Sequence, residues 1–222
     1  MTVVAILNPK GGSGKTSLST NLARALHDRG NSVLFVDSDP QGSARDWQCI
    51  AEDNPLPLVA LDRPNTLNGL SKVNKPYDFT VIDGGSKLEN MLAMGVKVAD
   101  AVLIPVQPSP YDIWAAEELV EMIKTRQTVA GDKPYTAFVI TKAIKHTKLS
   151  QEIISALDNY EIPVFKQVIM QRQAYPQTAS VGQSVMDSAN AVAISEINAL
   201  ADELIAFIEG EGSTDGSERR SA

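Results

Sequence analysis

Cysteine is almost missing from this sequence. Cys49 is the single one in 222 residues, so neither a disulfide framework nor a cysteine metal cluster can be built, which fits a reducing compartment. No stretch approaches the roughly 18 consecutive apolar residues that a membrane helix requires. The chain opens on a strand-like run and not on a charged, then apolar leader, so no signal peptide is expected. Excess positive charge is lacking too: 20 Lys and Arg stand against 27 Asp and Glu, a formal net charge of -7. A globally basic nucleic-acid binder is thereby excluded, and any contact with DNA must be local. What remains is 43% apolar and 21% charged, an ordinary globular composition without internal repeats, long enough for one large core.

The informative part is at the start. Val3-Val4-Ala5-Ile6-Leu7 is a short apolar, β-branched run bounded by Asn8 and Pro9, the pattern of a buried strand. Lys10-Gly11-Gly12-Ser13-Gly14-Lys15-Thr16 follows at once, and then a helical pattern with Leu18, Leu22 and Leu26 on one face. Strand, glycine loop and helix together are the context of a phosphate-binding loop. Glycines let backbone N–H groups converge on phosphate oxygens, and the helix N-terminus adds its positive dipole end. In that pattern Lys15 reaches the β- and γ-phosphates and the Thr16 hydroxyl ligates Mg²⁺. Pro9 occupies the place of the usual first glycine, and a second lysine, Lys10, opens the motif.

With that second lysine the stretch resembles the deviant phosphate loop of the ParA/MinD family of ATPases, closest to the small plasmid-partition ParA proteins of the ParF-like kind. The resemblance implies a P-loop NTPase fold, ATP and Mg²⁺. Gly11, Gly12, Ser13, Gly14, Lys15, Thr16 and Ser17 would cradle the nucleotide, and Lys10 would reach across a dimer interface to the partner's nucleotide. A second strand, Ser32 to Val36, delivers Asp37-Ser38-Asp39-Pro40-Gln41-Gly42, similar to the switch I segment of the family. By that likeness Asp39 positions or activates the attacking water, and Asp37 sits near the Mg²⁺ shell. Alone, the same residues read as a turn with an Asx cap.

Phe79-Thr80-Val81-Ile82-Asp83 is a further strand, and an aspartate at such a strand end holds Mg²⁺ through its water shell in phosphate-loop ATPases. Gly84-Gly85-Ser86 follows it, where many ParA relatives carry prolines. Ala101 to Val106 forms the next strand. The proline-rich loop Gln107 to Asp112 comes after it, and Asp112 is expected to N-cap a helix over 113–130. By resemblance this loop lies at the nucleotide-dependent dimer interface. Tyr135 to Thr141 is another strand, leading into Lys142, Lys145 and Lys148, the one basic cluster of note. Three lysines read either as a solvated face or as non-specific contacts to DNA phosphates. A last strand is expected over Pro163 to Ile169. Arg172, beyond it, either stacks on the adenine or makes a structural pair with a carboxylate. Ser188 to Ile208 is a closing amphipathic helix, and its acidic polar face argues against an anionic membrane partner. From 210 onward the composition predicts a disordered tail.

Strands alternating with helices predict an α/β fold, a doubly wound, mainly parallel sheet with helices on both faces, in a single domain over 1–209. A first strand at Thr2 is expected to leave no room for an N-terminal helix-turn-helix. The resemblance implies a slow ATPase whose ATP-bound homodimer binds DNA non-specifically. A centromere-binding ParB-type adaptor would stimulate hydrolysis to position plasmid cargo, in the cytoplasm and on the nucleoid. Two alternatives share the fold: a positioner of a protein cargo, and a small-metabolite ATP-dependent enzyme.

Overall fold

Five of the apolar runs noted above become five strands of one sheet, and a sixth, short strand joins them at the edge. The computed structural model describes residues 1–51, 53–85, 88–144 and 149–213. Strands β1 (Thr2–Ile6), β2 (Val33–Asp37), β3 (Leu58–Ala60), β4 (Phe79–Asp83), β5 (Ala101–Val106) and β6 (Tyr135–Ile140) stand in the order β3-β2-β4-β1-β5-β6. All the pairings are parallel. Helices α1 (Lys15–Asp28), α2 (Ser43–Ile50), α3 (Pro64–Leu67), α4 (Glu89–Val98), α5 (Pro110–Ala130), α6 (Leu149–Asp158), α7 (Ala174–Ala179) and α8 (Ala191–Ser213) complete the described chain.

Alternation along the strands divides the core in two. Val3, Ala5 and Leu7, with Val36, Ile82, Val102, Ile104 and Phe138, pack against α4, α5 and α6. Val4 and Ile6, with Phe35, Val81, Leu103 and Val139, pack against α1, α2 and α8. The sheet is thus covered on both faces, as parallel sheets require, and the doubly wound fold stands as expected. Trp47 is a core residue: its ring meets Phe35 edge-on at 6.0 Å and its indole N–H donates to the Gln183 carbonyl.

Residues 163–169 do not form a strand. They touch the sheet through the isolated bridge Phe138↔Val164 and a few backbone bonds to β6. The Lys166 and Gln167 N–H groups instead donate to the two carboxylate oxygens of Glu203 on α8 at 2.7 and 2.9 Å. A side chain thus takes the Gln167 donor that a seventh strand would give to β6, together with the Lys166 donor beside it. Helix α5 begins earlier than expected, with Ser109 as N-cap and Pro110 in its first turn, where the missing proline N–H costs nothing. Asp112 therefore lies within the first turn and does not cap it. Helix α8 continues through 210–213, into the start of the expected tail; the rest of that tail lies outside the described residues.

Candidate active site

The order of the strands reverses about β1, so the carboxyl ends of β1, β2, β4, β5 and β6 gather at one rim, where open α/β sheets bind ligands. The glycine loop leaves β1 there. Gly12 (φ +79°) and Gly14 (φ +96°) take left-handed backbone conformations that side chains resist. Gly14 is the N-cap of α1 and supplies no side-chain cap.

Neighbouring elements pin the loop by its carbonyls. The Lys15 ammonium donates to the Lys10 carbonyl at 3.0 Å. Gln107, past the end of β5, and Lys142, past the end of β6, both donate to the Gly12 carbonyl, at 2.7 and 2.6 Å. Thr141 Oγ1 donates to the Ser13 carbonyl at 2.8 Å. In a trans peptide the N–H points opposite to its carbonyl. Pinning the carbonyls of Lys10, Gly12 and Ser13 therefore aims the N–H groups of Gly11, Ser13 and Gly14 to the other side. Asn8 is fully buried, donates to the Pro105 carbonyl at 2.8 Å and accepts from the Lys10 N–H at 2.7 Å. The sequence reading passed over Asn8, Gln107 and Thr141. The one signal for them was position, each standing just past the end of a strand.

Two aspartates stand level on adjacent strands, because Asp37 is in register with Asp83. Asp83 is fully buried; it accepts from the Thr16 hydroxyl at 2.8 Å and the Ser19 hydroxyl at 2.9 Å. Burial pushes its carboxyl up to about 7, against the pull of the two hydroxyls. Asp37 is also raised by burial. Both of its oxygens are taken: one accepts from the Asp39 N–H and the other from the N–H and Nε of Arg45. Asp39 is half-buried, with Oδ1 accepting from the Gln41 N–H at 2.9 Å. Lys15 is 7% exposed; its burial lowers the ammonium pKa, and the charges of Asp83 and Asp39 oppose that shift.

The glycines after Asp83 also have a reason. A Cβ on Gly84 would lie 2.4 Å from Leu7 Cδ2 and 2.7 Å from the Ile6 carbonyl oxygen. One on Gly85 would meet Asp39 at 3.4 Å. The glycines let the chain pass tightly between β1 and the Asp39 turn; Ser86 lies outside the described residues.

The Thr16 hydroxyl and the Asp83 carboxylate are hard oxygen donors beside the loop, and they fit Mg²⁺ in a shell completed by water and phosphate oxygens. Among the described residues no group of three or more His, Cys, Asp or Glu could form an all-protein cage. Asp83 gives this site a pH signature. The folded state holds its proton more tightly than the unfolded state, so it binds the additional proton between about pH 4 and about 7 and loses stability as pH rises through that window. Asp83→Asn is expected to flatten this slope. Without nucleotide at pH 8 it should melt above the wild type, each kcal/mol gained being worth roughly 2–4 °C in a chain of this size. Calorimetric melts at pH 5 and 8 check this; an unchanged slope would count against a buried, protonated Asp83.

Beyond the loop opens a cavity of about 790 Å³ whose lining includes Gly14, Ser17, Lys142, Ile169, Tyr175 and Pro176, mostly apolar and of a size for a nucleoside. Arg172 borders it, but its guanidinium makes a two-point pair with Glu196, also near the Tyr175 hydroxyl. The carboxylate pair, one of its two expected roles, is the one formed. Lys10 is ion-paired with Oδ2 of Asp112, which is 2% exposed and whose Oδ1 has no hydrogen-bond partner among the described residues. Of the basic cluster, Lys142 is exposed and its ammonium donates to the Gly12 carbonyl of the loop. Lys145 and Lys148 lie outside the described residues.

Comparison with known proteins agrees with this geometry. Residues 4–185 match the profile of the CobQ/CobB/MinD/ParA nucleotide binding domain. The sequence is 30% identical over 208 residues to "Maintenance of carboxysome distribution protein A" of Halothiobacillus neapolitanus, covering 91% of this chain and 95% of that one. It is 25% identical to the "Sporulation initiation inhibitor protein Soj" of Bacillus subtilis, with 83% and 90% covered. Among solved structures, McdA of Cyanothece in complex with ATP superposes with a TM-score of 0.73 at 17% identity, covering 92% of this chain and 96% of that one.

Proposed function

The chain belongs to the CobQ/CobB/MinD/ParA nucleotide-binding family, and we propose that it is an ATP-hydrolysing positioning protein whose cargo is a protein assembly. The site supports the ATPase part through one observation above all: Lys15, Thr16 and Asp83 meet at the mouth of a loop three of whose carbonyls are pinned, which turns the N–H groups that follow them to the side where a phosphate would lie. The near full-length likeness to a relative named for carboxysome distribution supports a protein cargo over the plasmid cargo expected from the motifs. An adaptor bridging the protein to that assembly then takes the place of a centromere-binding ParB-type partner.

In this reading the loop N–H groups and the Lys15 ammonium hold the β- and γ-phosphates, and Thr16 and Asp83 hold Mg²⁺. The cation, when bound, offsets negative charge on the phosphate oxygens. Asp39 orients the attacking water, and positioning with electrostatics carries most of such a reaction. Asp37, with both oxygens engaged by Arg45 and Asp39, fixes the shape of the segment that carries Asp39. Among the described residues no helix is long and apolar enough to cross a membrane.

Lys10 serves the dimer. In the single chain it pairs with buried Asp112, so reaching a partner's nucleotide requires it to leave that pair. ATP is expected to dimerise the wild type, by light scattering, and Lys10→Ala to abolish the dimer while ATP binding stays within a few-fold. The substitution strands a buried carboxylate, which costs several kcal/mol. Lys10→Ala with Asp112→Asn therefore separates loss of fold from loss of dimer. Monomers of the wild type with ADP, ATP and a non-hydrolysable analogue alike would sink the dimer reading and favour a metabolite enzyme. For the cargo, deletion in the native cell is expected to redistribute a protein assembly; unstable plasmids with undisturbed assemblies would return the case to plasmid partition.

A further inference from the structure

Lys142 is an unusual residue for the surface role its neighbours in the sequence suggest. Its φ of +52° is one of three positive values at non-glycine positions among the described residues. A lysine holds that left-handed conformation at a cost, and such residues persist where the surroundings over-determine them. Here they do. Thr141, buried at 3% exposure, is fixed to the Ser13 carbonyl at 2.8 Å. The next residue turns back so that its ammonium reaches the Gly12 carbonyl at 2.6 Å. On the way the stem crosses Gly14: a Cβ there would lie 3.9 Å from Lys142 Cε. The same side chain borders the cavity that begins at Gly14 and Ser17.

We propose that Lys142 is a residue of the nucleotide site with two separable tasks, and that it takes no part in holding DNA. Its ammonium is a positioning group, clamping the phosphate loop through Gly12, and its four-carbon stem is part of the wall on which the nucleoside lies. A lysine suits both, since its methylenes cover apolar surface while the charged end binds elsewhere. Lys142 is an exposed residue, but its ammonium is already bonded to a carbonyl of its own chain, so a DNA phosphate would have to displace that bond to use the charge. The inference rests on the nucleotide reading of the site.

Two variants separate the tasks. Lys142→Met keeps the stem and loses the clamp; Lys142→Ala loses both. The probes are ATP and inorganic tripolyphosphate, each with Mg²⁺, measured by titration calorimetry, together with DNA retention at saturating ATP. Lys142→Met is expected to weaken both probes by about tenfold, near 1.4 kcal/mol. Lys142→Ala should weaken ATP several-fold further without weakening tripolyphosphate further. DNA retention, where the wild type shows any, should be unchanged. Two results overturn the proposal: wild-type affinity for both probes in both variants, or a loss of DNA retention at full nucleotide occupancy. Equal losses of ATP and tripolyphosphate in the two variants would remove the stem's task. A wild type that binds neither probe would instead overturn the nucleotide reading beneath it. Circular dichroism melts report folding, and should the alanine variant not fold, the methionine variant still decides the clamp and the DNA arm.

Discussion

Lys15→Ala is expected to abolish measurable binding of ATP and ADP, a loss of more than about a hundredfold, or roughly 3 kcal/mol. The size follows from where the ammonium stands. It is buried, with its ordinary pKa lowered by that burial, and the carboxylates of Asp83 and Asp39 act on it from the same rim. In such a setting charge-assisted hydrogen bonds to phosphate are about twice as strong as neutral ones. Among the described residues the same ammonium bonds the Lys10 carbonyl alone, so the substitution removes one hydrogen bond from the fold and relieves a desolvated charge. The melting temperature should move by a few degrees at most. Titration calorimetry with both nucleotides, alongside a thermal melt, makes the comparison. Binding within threefold of the wild type would show that the phosphates are held by something other than this loop.

Asp39→Ala should produce the opposite division: ATP affinity within a few-fold of the wild type, and hydrolysis slower by about a hundredfold, the low end of what a positioned general base contributes. Asp37 and Asp39 are two residues apart, yet the structure treats them differently. Asp37 is buried with both oxygens engaged. Asp39 stands at the turn with Oδ1 accepting from the Gln41 N–H, which leaves Oδ2 as the oxygen it would offer to a water. Thr16 and Asp83, which would hold the cation, bond each other, while the Asp39 carboxylate bonds its own turn, so its loss should leave binding nearly intact. ATP-dependent dimers of Asp39→Ala should then outlast those of the wild type. Single-turnover hydrolysis and dimer lifetime report the two halves, and a wild-type rate would remove Asp39 from the chemistry.

What the sequence made legible were features written in consecutive residues. The strands β1, β2, β4, β5 and β6 are continuous apolar runs, because a parallel sheet buries both faces. The glycine loop and the two aspartates at strand ends are local motifs. Features written across the chain stayed hidden. Asp112 has the right type for an N-cap but lies inside the first turn of α5, and its carboxylate pairs with Lys10, 102 positions away. Lys142 sits in a basic stretch and is exposed, but the partner of its ammonium, Gly12, is 130 positions back. Residues 163–169 have strand composition, but Glu203 takes two of their N–H groups. Only folding brings these partners together, and no pattern within either segment announces them.

The pinned loop has a kinetic consequence. Its restraints come from Asn8, Gln107, Thr141 and Lys142, groups that take up their places as the sheet forms, before any nucleotide arrives. The ordering entropy of the cradle is then spent during folding and not at encounter. Capture should therefore run close to the rate of diffusional collision, with little dependence on solvent viscosity beyond that of collision itself. The residence time of a nucleotide would be governed by departure, so a partner protein that tunes the cycle gains most by acting on the escape of product.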